Sequence, residues 1–156
     1  LPVCSLASQA QSLPLPVGSR ILSVMDAQIG QVYWAWFEVT TAGLIELGAP
    51  SVSSPAQVLG PNGESLEQMA SGITLIGDGS DLVSGAHNKL LVAESVVEAR
   101  PRPSQTALAF LDHIDQSLLL EANQLEPRYV QKEIGWKKLS EQGKPAIGIT
   151  EQRKEG

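Results

Sequence analysis

Residues 20–39, RILSVMDAQIGQVYWAWFEV, have the hydrophobic pattern of a sheet core. Ile21, Leu22, Val24 and Met25 are apolar at both odd and even positions, as expected of a strand covered on each face. Asp26-Ala27-Gln28-Ile29-Gly30-Gln31 then breaks the run, with Gly30 free to take the positive φ that a short hairpin loop needs. Residues 32–39 are dense in β-branched and aromatic side chains, which suit a half-buried pleated surface. The pattern predicts a β-hairpin. A turn at Thr40-Thr41-Ala42-Gly43, followed by Leu44-Ile45-Glu46-Leu47, extends it to an antiparallel meander of three strands.

The remaining elements are shorter. Leu6, Ala7 and Ala10 within residues 5–12 predict one or two helical turns ending before Pro14-Leu15-Pro16. Ser54 as N-cap and Pro55 as first helical residue open a short helix over 56–59, stopped by Gly60-Pro61. Asn62-Gly63 makes a turn, and residues 65–70 give a weak second helix. Ile73-Thr74-Leu75-Ile76 reads as a buried strand ending in Gly77-Asp78-Gly79-Ser80. Leu90-Leu91-Val92 and Ser95-Val96-Val97 add strand character. The best helix follows a proline-rich approach and runs from about Ser104 to Leu120. Its Ala107, Leu111, Ile114 and Leu118 form one stripe, with Asp112, Asp115 and Gln116 on the other side. Residues 128–130 read as a short extended piece. Residues 140–156 are polar, mixed in charge and aperiodic, which predicts a disordered tail after a folded region spanning 1–139.

Composition narrows the function classes. At 156 residues the chain fits one domain with a real core. Its net charge of −6 gives no overall field toward phosphates or anionic lipid. The lone Cys4 excludes an internal disulfide and a multi-cysteine zinc site, and fits a reducing cytoplasm. No run approaches the roughly 20 apolar residues that cross a bilayer, and the start lacks a basic segment before an apolar one.

Candidate chemistry is sparse. Gly77-Asp78-Gly79 follows a strand and offers backbone amides to a phosphate, but two carboxylates, Asp78 and Asp81, oppose an anion, and a plain turn reads better. His87 and His113 lie outside any metal-ligand spacing, so no metal site is expected, and His113 reads as part of a solvated helix face. Cys4 has no base or orienting group beside it in sequence and reads as a small core residue. Ser5, Ser53 and Ser54 lie outside a nucleophile elbow, so no catalytic residue is assigned. Asp26 stands at a strand end, either displayed for function or capping the turn. Arg128, Lys132, Lys137 and Lys138, with Tyr129 and Trp136, form a basic and aromatic cluster suited to an acidic partner or a tRNA backbone, or to pinning the C-terminal segment.

Three of these segments carry a resemblance. Val24-Met25-Asp26-Ala27, Gly30 and Val32-Tyr33-Trp34-Ala35 resemble the "DAR-x-G-x-VYWA" segment of the bacterial TsaB (YeaZ) family. Glu126-Pro127-Arg128-Tyr129-Val130 and Trp136-Lys137-Lys138-Leu139 resemble its closing "EP-x-YLR…WKKL". Leu1-Pro2-Val3-Cys4-Ser5-Leu6 is similar to its "LP-x-x-GVSTL", which opens the second lobe. Gln28 stands where the family carries an arginine, so any positive contact made there is lost or replaced.

The resemblance implies an α/β fold: a mixed sheet of about five strands with packed helices, the 104–120 helix across one face. It corresponds to the C-terminal lobe of an actin-like (RNase H-like) protein, with the N-terminal lobe outside this chain. It implies a non-catalytic scaffold, without cofactor, in the synthesis of threonylcarbamoyladenosine on tRNA. The partners would be a TsaD-like catalytic subunit and a TsaE-like ATPase, with tRNA contacted indirectly, self-association through an exposed lobe face, and a cytoplasmic location. Asp26, Gln28, Arg128, Tyr129, Trp136, Lys137 and Lys138 are the expected partner-binding residues, and Gly77, Asp78 and Gly79 the weaker nucleotide-binding set. The alternatives are a glycoprotease-like metallopeptidase of the same superfamily, and a nucleotide-binding lobe.

Overall fold

A computed structural model describes residues 4–69, 72–87, 89–90, 92–96, 121–124, 126 and 130. Strands β1 (Arg20–Gln28) and β2 (Gln31–Thr40) form the expected hairpin, antiparallel from Arg20 opposite Glu38 to Gln28 opposite Gln31. The hairpin is longer than the polar residues suggest. β1 continues through Asp26, Ala27 and Gln28, with a bulge between Asp26 and Gln28, and the loop shrinks to Ile29-Gly30. Backbone pairing needs no apolar side chain, and the bulge lets the strand twist into a tight turn.

Strand β3 (Gly43–Glu46) completes the meander against the end of β2. A short strand β4 (Ser51–Ser53), which the pattern does not predict, pairs with Val32, Tyr33 and Trp34 of β2. On the other side of β1, strand β5 (Ile73–Ile76) runs parallel to it, and β6 (Val92–Val96) runs parallel to β5. Helix α2 (Ser80–Ala86) lies between β5 and β6 in the chain, the crossover that parallel neighbours require. The order is β3-β2-β1-β5-β6 with β4 beside β2: six strands among the described residues, mixed in direction.

Alternation along the strands makes two cores. Leu22, Val24, Val32, Trp36, Ile73 and Leu75 face one side and meet Val58, Leu66 and Met69 from the connecting segment and Val83 of α2. Ile21, Ala35, Phe37 and Ile76 face the other and meet Leu6 and Ala10 of helix α1 (Ser5–Ala10). Each fully buried aliphatic or aromatic side chain contributes about 1.5–3 kcal/mol, so the central strands carry most of the stability.

The two helices expected over 56–59 and 65–70 are instead single 3-10 turns, Pro55–Gln57 and Leu66–Gln68. Their bonds close over three residues, Gln57 N–H to the Ser54 carbonyl and Gln68 N–H to the Ser65 carbonyl, each 3.0 Å. After Pro55–Gln57, Gly60-Pro61 leaves no room for a second turn of α-helix. Ser54 has the extended backbone of an N-cap, but its hydroxyl bonds the Gln57 side chain at 2.9 Å instead of a backbone amide. A further 3-10 turn spans Ala122–Gln124. The 104–120 helix, the extended piece at 128–129, His113, Arg128, Tyr129, Lys132, Trp136, Lys137, Lys138 and the 140–156 tail lie outside the described residues.

Candidate functional site

Because β1 and β5 are parallel, their C-terminal ends lie at the same end of the sheet, where α/β proteins display functional groups. There the structure joins Asp26, Gln28 and Asp78. The Asp78 carboxylate accepts the Asp26 N–H at 2.9 Å, and the Asp26 carboxylate accepts the Gln28 N–H at 2.7 Å. Asp26 therefore caps its own hairpin, as its position after an apolar run suggests, and also receives the glycine loop. Asp26, Gln28 and Asp78 are all exposed.

The loop is held from below by a polar side chain that sequence reasoning missed. Gln9 of α1 is buried and its Nε2 donates to the Ile76 carbonyl at 2.9 Å, the Ser23 hydroxyl at 3.1 Å and the Val24 carbonyl at 3.2 Å. Ser23 in turn donates to the Leu6 carbonyl at 2.9 Å. Gly77 turns over this amide with φ +110°, and a methyl group on it would overlap Gln9 Nε2 and the Val24 carbonyl oxygen. Gly79 is needed for close approach, since a Cβ there would press on the Val24 side chain and the backbone of Met25 and Asp26.

Three amides of the loop are engaged within the chain: Gly77 N–H with the Val96 carbonyl (2.9 Å), Gly79 N–H with the Val24 carbonyl (3.4 Å) and Ser80 N–H with the Gly77 carbonyl (3.0 Å). The loop is thus a bracket between β1, β5 and β6, with the exposed Asp78 carboxylate on it beside Asp26 of β1.

His87 is buried at the end of α2, its Nε2 3.0 Å from the Pro55 carbonyl, so it ties the helix to the first 3-10 turn. Cys4 is half-buried and packs beside the α1 core. Among the described residues, no group of three or more His, Cys, Asp or Glu side chains could hold a metal ion.

A second feature, also missed, is a cleft of about 240 Å³ on the β4 side of the sheet. Trp34, Trp36, Leu47, Leu59 and Pro61 are among the residues that line it. Both indoles are fixed, Trp36 Nε1–H donating to the Leu59 carbonyl at 2.8 Å and Trp34 Nε1–H to the Ser53 hydroxyl at 3.0 Å. The sequence signal was the i, i+2 pair of tryptophans, which one face of a strand must share.

A meander continued by a parallel β-α-β unit, with helices on both faces, makes a mixed α/β lobe. Two solved structures share this fold with the chain. One is described as an uncharacterized protein with similarity to peptidase YeaZ from Pseudomonas aeruginosa: 21% identity, TM-score 0.61, covering 83% of this chain and 57% of that one. The other is YeaZ from Pseudomonas aeruginosa: 20% identity, TM-score 0.52, covering 76% of this chain and 55% of that one. The chain spans little more than half the length of either. No protein-family model and no curated protein matches it.

Proposed function

We propose that this chain is a lobe of a YeaZ (TsaB)-type subunit, a non-catalytic scaffold in the synthesis of threonylcarbamoyladenosine on tRNAs that read ANN codons. The observation that carries the reading is a coincidence of two signals. The fold is shared with YeaZ, and the hairpin at its centre, β1–β2, is the same segment that resembles the TsaB "DAR-x-G-x-VYWA" string.

In this reading the protein binds a TsaD-like catalytic subunit and a TsaE-like ATPase and works in the cytoplasm. Its acidic balance suits contact with proteins better than with the tRNA itself. No helix among the described residues is long and apolar enough to cross a membrane.

The test is a calorimetric titration of the full-length protein with the TsaD-like protein of the same organism. Saturable binding at micromolar concentration or tighter is expected. Absence of heat or co-elution up to 100-fold higher concentration, roughly 2.7 kcal/mol weaker, would count decisively against it.

A further inference from the structure

Ile29 is 98% exposed at the tip of the β1–β2 hairpin, well beyond the next most exposed large apolar residue among those described, Val17 at 62%. It also has φ +54°, between Gln28 at +64° and Gly30 at +72°. A two-residue loop with both φ positive takes asparagine, aspartate or glycine readily, because a β-branched side chain in that region crowds its own carbonyl. Ile29 therefore strains the backbone and leaves its side chain in water, two costs that an asparagine would avoid. Nothing within the described chain offsets them, which directs the explanation to a contact made outside it.

The tip is also held rigid. The bulge between Asp26 and Gln28, the Asp26 to Gln28 bond and the Asp78 to Asp26 bond brace it against the glycine loop. A side chain presented this way loses little freedom on binding. The two exposed carboxylates beside it, Asp26 and Asp78, make its surroundings negative. The described cations stand elsewhere, Arg20 at the opposite end of β1 beside Glu38 and Lys89 beyond the C-terminal end of α2. This charge opposes a phosphate backbone or an anionic membrane, and equally a second copy of a chain of net charge −6.

We propose that the hairpin tip is a docking knob: Ile29 enters an apolar socket edged by lysine or arginine on a partner protein, with Asp26 and Asp78 meeting that rim. The knob is independent of the TsaB-type reading, since its partner is defined by surface chemistry alone.

The test places p-benzoylphenylalanine at position 31 of the full-length protein in its own cells, with Ile29 intact or as Ile29→Asn. Irradiation is expected to give one dominant protein adduct whose cross-linked peptide carries apolar and basic side chains, its yield falling about tenfold in Ile29→Asn. The same substitution is expected to leave the melting temperature of the purified protein unchanged or higher. Equal adduct yield in both backgrounds, no adduct, an adduct with RNA, lipid or a second copy, or a lowered melting temperature would each overturn the proposal. An adduct with a protein other than a TsaD-like or TsaE-like one supports the knob and counts against the function proposed above.

Discussion

At Gly77 three elements meet within one backbone turn: Gln9 of α1 below, the Val24 carbonyl of β1 beside it, and Val96 of β6 bonded to its amide. A Cβ at this φ of +110° is strained in itself and would displace a buried amide that holds three acceptors. Gly77→Ala is therefore expected to lower the unfolding free energy by at least about 2–3 kcal/mol, read as a shifted midpoint in urea denaturation. A midpoint equal to that of the parent would contradict this geometry. In the sequence, Gly77-Asp78-Gly79 is legible only as a turn, with a phosphate loop as the sharper alternative. Gly77 is required by its positive φ and by the close approach of Gln9 and Val24, Gly79 by close approach alone, and the approaches depend on which strand lies alongside. Gln9 was illegible for the same cause. Its value lies wholly in acceptors 14, 15 and 67 residues away. Asp26 was half legible: the local cap to Gln28 follows from its position, whereas the link to Asp78 spans 52 residues.

At the scale of elements, strands rich in apolar residues announce themselves and those made by pairing do not. β5 appears at the bounds its apolar run predicts and β2 over the β-branched and aromatic run, whereas β1 runs past its apolar residues to Gln28 and β3 begins and ends one residue before the predicted 44–47. β4 is Ser51-Val52-Ser53, too short and polar to signal a strand, and exists because β2 offers it a partner. α2 opens on Gly79 and contains only Leu82 and Val83 as large apolar residues, so its helix rests on packing of Val83 against the sheet core. The 58–65 loop also depends on a long-range contact, the Trp36 indole donating to the Leu59 carbonyl. Trp36→Phe removes that bond and leaves a void in the first core, at an expected cost of about 2–3 kcal/mol. Hydrogen exchange at Gly60 and Gly63, whose amides bond the Glu64 and Gly60 carbonyls, should accelerate more than exchange in β5. Uniform acceleration across the molecule would mean that the loop is not separately held by Trp36.

For the molecule as a whole, the mixed α/β class followed from the family resemblance, while composition alone reached no further than one domain with a core. The order β3-β2-β1-β5-β6 puts the resembling hairpin at the centre of the sheet, between the meander and the parallel unit. That placement explains why its apolar residues are legible: β1 and β2 are covered on both faces by the two cores. It also brings the hairpin tip and the glycine loop to one acidic end, which neither segment shows on its own. The expected cluster of Arg128, Tyr129, Trp136, Lys137 and Lys138 lies outside the described residues. The central claim is that this lobe serves the threonylcarbamoyladenosine pathway. Its most direct measurement is mass spectrometry of tRNA nucleosides from cells depleted of the full-length protein. The account predicts loss of threonylcarbamoyladenosine, restored when the protein is supplied again. Modification at the level of undepleted cells would contradict it.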